Sequence, residues 1–192
     1  MTLVDRLHLS VTTGAPGYRR LQGLKLTQSS FDTETNNTLF STFPLWSTKF
    51  GPSQDVRSVV KPAYKNPPIA SYGKVLGDRN TLYKYLNPHL VAVITASTAT
   101  PAGSQQQCSI YLLDSVKGTI IYHAPISTIS GPCDIKATLV DNWLVYHYYE
   151  DDVSKPGTAK GYRMVSVELY EGHKVNEKSS RWQSFTIAQL YS

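Results

Sequence analysis

The stretch Cys108-Ser109-Ile110-Tyr111-Leu112-Leu113-Asp114, followed by Ser115-Val116-Lys117-Gly118 and then Thr119-Ile120-Ile121-Tyr122-His123, decides the fold class. Two apolar runs flank a short turn that opens on an acid and closes on glycine. This is the pattern of a β-hairpin around a type I turn. Asp114 is expected to hydrogen-bond the turn backbone, and Gly118 to take the positive φ that closes the turn without steric cost.

Outward from this hairpin the same grammar repeats. His89 to Thr95 reads as an inner strand after a turn at Asn87-Pro88. Leu82-Tyr83-Lys84-Tyr85 follows the turn Val75-Leu76-Gly77-Asp78-Arg79-Asn80. On the other side, Ile135 to Val140 and Trp143 to Tyr149 flank Asp141-Asn142, and Tyr162 to Tyr170 follows a polar loop. Upstream, Arg6 to Val11, Arg20 to Thr27, Leu39 to Phe50 and Val56 to Lys61 read as further strands, with Pro44 marking an edge position or a break. The prolines between Lys61 and Pro68 fit a boundary between repeat units. Residues 173–192 read as a polar, weakly structured tail. With 13 Tyr, 3 Trp and 5 Phe among many β-branched residues, composition agrees with an all-β chain.

Charge and motif content narrow the function classes. The formal net charge of +5 is spread along the chain, Arg19-Arg20 being the sole adjacent basic pair, so no basic stripe marks a nucleic-acid face. Apolar runs such as Leu90-Val91-Ala92-Val93-Ile94 fall far short of the roughly 20 residues that span a bilayer. Asp5 and Arg6 interrupt the N-terminal apolar run that a secretory signal would need. The chain is therefore read without a signal peptide or a membrane span of its own.

The five histidines lack HxH or HExxH spacing, and no Walker A loop, GxGxxG or GxSxG occurs. Glu150-Asp151-Asp152 lacks a calcium-loop frame and reads as a solvated turn. No catalytic, metal or cofactor site is expected. Cys108 and Cys133 have no zinc spacing and read first as two buried thiols, with a bridge open to them in an oxidising lumen. Asn36-Asn37-Thr38 makes Asn36 a candidate N-glycan acceptor. Asp78 and Arg79 form the most suggestive polar pair, read as a local turn device or as an interface pair.

The hairpin Ile110 to Tyr122 resembles the blade signature of quinoprotein-type propellers. Gly73-Lys-Val-Leu-Gly-Asp-Arg-Asn-Thr-Leu-Tyr-Lys-Tyr-Leu-Asn-Pro88, Asn142-Trp-Leu-Val-Tyr146 and Val165-Ser-Val-Glu-Leu-Tyr-Glu-Gly172 resemble, in order and wording, subunit 1 of the endoplasmic reticulum membrane protein complex. The resemblance implies a partial β-propeller over residues 1–172, best defined over 71–172, as an incomplete ring. It also implies a non-catalytic lumenal scaffold in a complex that inserts transmembrane segments. Its partners would be the other subunits and client membrane proteins, with no nucleic acid. The alternatives are a freestanding carbohydrate-binding β-sandwich or propeller domain, and a fragment of a quinoprotein-type dehydrogenase.

Overall fold

The structure is a computed structural model that describes residues 8–34, 37–51, 53–63, 68–98, 106–128, 133–150, 160–171 and 186–191. Its described elements are strands. These are β1 (His8–Thr13), β2 (Arg20–Asp32), β3 (Asn37–Thr48), β4 (Gln54–Val60), β5 (Gly73–Val75), β6 (Thr81–Tyr83), β7 (Leu90–Ser97) and β8 (Gln106–Asp114). They continue with β9 (Ile120–Thr128), β10 (Lys136–Val140), β11 (Trp143–Glu150), β12 (Gly161–Leu169) and β13 (Thr186–Tyr191). Among the described residues no helix is long and apolar enough to cross a membrane.

The strands form a first sheet β1-β2-β3, a central sheet β4-β7-β8-β9, a third sheet β10-β11-β12-β13, and the small hairpin β5-β6. Every named pairing is antiparallel. Pro44 falls on β3, an edge strand, beside the bulge between Gly23 and Leu24 where the register shifts. A residue without an N–H is tolerated at such a place because no ladder donor is required.

The central sheet explains the apolar runs. Successive strand residues point to opposite faces. Leu90, Ala92 and Ile94 of β7 and Cys108, Ile110 and Leu112 of β8 pack against Leu139, Leu144, Tyr146, Val165, Val167 and Leu169 of the third sheet. Val91 and Val93 of β7, with Tyr111 and Leu113 of β8, point the other way and pack with Leu21, Phe50 and Val56. Both faces of β7 and β8 are thus dry, so neither face has reason to be polar. Each fully buried Leu, Ile or Val contributes about 1.5–3 kcal/mol relative to exposure, which makes this layer the energetic centre of the fold. A two-layer sandwich would leave each sheet one wet face, as antiparallel sheets commonly do. A central sheet covered on both sides is instead the packing of a blade between two neighbours, in an arc that does not close.

Four expectations are corrected. The proline-rich segment after Lys61 is not a boundary between sheets, because β4 and β7 are paired neighbours, Val59 opposite Val93. The chain leaves the central sheet there, makes the β5-β6 hairpin and returns. Thr186–Tyr191, read as part of a weakly structured tail, is the fourth strand of the third sheet, with Val167 opposite Ala188. Cys108 and Cys133 are joined in a disulfide rather than free, their Cα atoms 5.8 Å apart. β2 also runs past Thr27 to Asp32, because β3 pairs with it through the polar segment.

Candidate functional site

The turn that sets the fold class is built from Asp114. Its Oδ1 accepts from the amides of Val116 (2.8 Å) and Lys117 (3.3 Å), and its Oδ2 accepts from Asn87 Nδ2 (3.1 Å). The Gly118 amide donates to the Asp114 carbonyl at 2.7 Å, and Gly118 sits at φ 72°. Ser115 donates to the His89 carbonyl through both its amide (2.8 Å) and its hydroxyl (2.7 Å), so the turn is tied to the start of β7. Trp46 of β3 lies over this turn and over Gly23, occupying the space a Cβ at either glycine would need. Thr48 adds a hydroxyl bond to the Gly118 carbonyl. The turn therefore joins the central sheet to the first.

The junction between the central and third sheets carries the disulfide. Cys108 is fully buried on β8, while Cys133 lies in the segment that leads into β10. Beside it the hydroxyls of Tyr122 and Tyr146 are 3.1 Å apart. Burial raises the pKa of both phenols, and each hydroxyl feels the other. On the opposite face of the central sheet, His123 stacks on Tyr111 with centroids 4.2 Å apart, and its buried Nε2 has no hydrogen-bond partner among the described residues. Burial lowers the His123 pKa. Gln54 Oε1 accepts from Thr95 Oγ1 and Tyr111 OH, each at 2.9 Å, while Gln54 Nε2 donates to Ser109 Oγ at 3.1 Å. This network satisfies its own members and presents no open group to a substrate.

Asp55 is buried and pairs with Arg19 at 3.0 Å. Burial works to raise its carboxyl pKa, but the Arg19 and Gly17 amides and the Arg19 and Arg57 charges hold it below the usual carboxylate range. This pair fixes the loop before β2 to β4.

Asp78 and Arg79 occupy the loop of the β5-β6 hairpin, both exposed. The Asp78 carboxylate accepts from the Asn80 amide (3.0 Å) and from Asn80 Nδ2 (2.7 Å), which hold its pKa low. Arg79 adopts φ 68°, a left-handed conformation uncommon for a side-chain-bearing residue, and its amide donates to the Leu76 carbonyl. No ion pair joins Asp78 to Arg79 among the described residues. The hairpin's base is fastened to the third sheet. Lys84 pairs with Asp141 at 2.6 Å and bridges Tyr170, the Tyr85 amide donates to the Leu169 carbonyl, and the Glu171 amide donates to the Tyr83 carbonyl.

The sequence reading did not single out Lys84, Asp141, Trp46 or the buried Asn142, whose Nδ2 donates to the Leu169 carbonyl at 2.8 Å. The one local signal was Asp141-Asn142 as a turn, and there Asp141 takes φ 57°. Asn36, Asp151 and Asp152 lie outside the described residues. Among the described residues no group of three or more His, Cys, Asp or Glu is placed to hold a metal ion.

The family described as "ER membrane protein complex subunit 1, second beta-propeller" matches residues 4–191. Curated relatives carrying the name ER membrane protein complex subunit 1 include that of Xenopus laevis, 34% identical over 155 residues, which cover 80% of this chain and 14% of that protein. Those of Schizosaccharomyces pombe and Gallus gallus are 36% identical over 110 residues and 39% identical over 104 residues. The matches cover 57% and 54% of this chain and 11% and 10% of those proteins. The chain thus spans about one-seventh or less of the relatives it matches. Stacked antiparallel sheets, the family-like order of hairpins and the match across residues 4–191 agree, and the chain belongs to the ER membrane protein complex subunit 1 family, in its second β-propeller.

Proposed function

We propose that this chain is a non-catalytic part of a lumenal scaffold within the ER membrane protein complex, a complex that inserts and steadies transmembrane segments of client proteins. The observation that carries the reading is the central sheet buried on both faces. Its sequence is spent on packing neighbour to neighbour, and the Gln54, Thr95, Ser109 and Tyr111 groups between its layers bond to one another. The third sheet then presents Tyr149, Tyr162 and Met164 outward at 45%, 78% and 61% exposure, a face suited to another layer of protein in the parent assembly. The Cys108–Cys133 bond supports a lumenal site, because disulfides persist in oxidising compartments.

The test is made in the full-length parent. Residues on the buried junction, Leu144→Asp and Val167→Asp, are introduced and the complex is purified from microsomes alongside a client-insertion assay. We expect subunits to dissociate and client insertion to fall together. Intact stoichiometry and unchanged insertion, with the junction demonstrably opened to limited proteolysis, would sink the scaffold reading.

A further inference from the structure

The first sheet, β1-β2-β3, has three strands where the central and third sheets have four. In both of those sheets the earliest strand of the chain lies at one edge and the latest at the other. The latest strand also leads straight into the earliest strand of the next sheet, β9 into β10 and β3 into β4. β1, β2 and β3 therefore stand where β7, β8 and β9 stand in the central sheet. The position without a counterpart is that of β4, and it lies along β1 on the side away from β2. Among the described residues no strand pairs there with residues 9–13.

The composition of β1 suits an interior strand. Exposed sheet edges are ordinarily blunted by charge, proline or a bulge, which keep stray strands from adding on. β3 carries Pro44, β9 carries Pro125, β10 carries Lys136, and β4 has Arg57 at a register shift. β1 has no proline, Lys, Arg, Asp or Glu, and it runs beside β2 without a shift. β13 is as plain, but its sheet already holds four strands. On one face of β1, Leu9 stands opposite Leu24 and is followed by Val11, and Leu9 is 42% exposed in mid-sequence of an apolar row.

We propose that β1 accepts a fourth strand along residues 9–13, antiparallel to it and contributed by the same polypeptide from outside this region, with apolar side chains beside Leu9 and Val11. Strand addition of this kind draws its affinity from main-chain bonds and its register from the alternate side chains. The same polypeptide is the source because all the strands of both four-stranded sheets come from one chain, and this region spans one-seventh or less of its relatives. A tethered strand also meets the edge at an effective concentration that a separate subunit lacks. The inference stands on sheet order and is independent of the scaffold reading.

The experiment uses the full-length parent in its native complex. Hydrogen exchange across residues 9–13 should be slowed by about a hundredfold or more at consecutive amides, because an edge strand protects alternate amides and an interior strand protects all. With p-benzoylphenylalanine in place of Leu9, the crosslink should map to the parent's own polypeptide outside this region. Alternate amides exchanging at the rate of an open chain would overturn the added strand. Crosslinks confined to this region, or reaching another subunit, would overturn its source.

Discussion

Trp46 and Gly118 are in direct apposition: a Cβ on Gly118 would stand 2.6 Å from the indole Cδ2 of Trp46. Two demands therefore meet on one glycine, the positive φ of its turn and the close approach of a ring from another sheet. Gly118→Ala should destabilise the chain by about 2 kcal/mol or more, since each demand alone costs on the order of 1 kcal/mol. In a double-mutant cycle with Trp46→Ala the steric part should vanish and the backbone part remain. Denaturant melts of the four proteins check this, and strictly additive losses would show that the ring does not constrain the turn.

The Cys108–Cys133 bond closes a 25-residue separation across two sheets. Replacing both cysteines by serine should cost on the order of 3 kcal/mol, mainly through the freer unfolded chain. Urea melts with and without reductant measure it. The parent should lose its advantage only under reducing conditions, and the variant should be indifferent to them.

His123 gives the fold an acid-sensitive position. Its pKa lies below the ordinary 6.5 because burial penalises the charged ring. As pH falls below 6.5 the unfolded chain takes up a proton that the folded one resists, so stability is present above that value and lost as pH drops through the folded pKa. His123→Phe should flatten the acid limb of a plot of melting temperature against pH below about 6.5. An unaltered slope would assign the acid sensitivity to other groups.

The alkaline side has the opposite sign. The Tyr122 and Tyr146 phenols are raised above the ordinary 10 by burial, so their contribution is complete below pH 10 and declines above it, where the unfolded chain ionises first. Tyr146→Phe removes one hydroxyl of the pair and leaves the other without it, a loss of about 1 kcal/mol at neutral pH. It should also make stability less steep above pH 10 in thermal melts.

Lys84→Ala should loosen the β5-β6 hairpin without unfolding the sheets, because the ion pair to Asp141 sits at its base and the core lies elsewhere. Limited proteolysis should then cut within residues 76–80 faster, with the global melting midpoint changed by less than about 1 kcal/mol equivalent. Coupled loss of both would mean that the hairpin belongs to the core.

The isolated chain should self-associate through its uncovered third-sheet face, where Tyr162 and Met164 stand proud. Light scattering should report oligomers that Tyr162→Lys with Met164→Lys reduces to monomer. A compact monomer at high concentration in the unsubstituted chain would favour a freestanding domain.

Strand identity was legible wherever alternation and turn chemistry coincided. The β8-β9 hairpin and its Gly118 turn are local facts of sequence, as is the turn before Trp143. Long-range placement was not. Nothing near Lys61 says that the chain will come back to pair Val60 with Ala92, since the excursion has its own turn signals and resembles a boundary. The disulfide depends on the distance between two sheets, which spacing does not encode. β13 was missed because the polar residues before it outweighed the short Thr-Ile-Ala-Gln-Leu-Tyr run, although that run is long enough to pair with β12. Trp46 on Gly118 is a contact between sheets, and the glycine's turn role concealed its second reason.

The anchoring of the β5-β6 hairpin also imposes an order in time. Its fasteners, Asp141, Leu169 and Glu171, leave the ribosome long after the hairpin itself, at roughly 5–20 residues per second and so after several seconds. Cys133 follows Cys108 much sooner. During synthesis the covalent link between sheets is therefore available before the β5-β6 hairpin has its full seat.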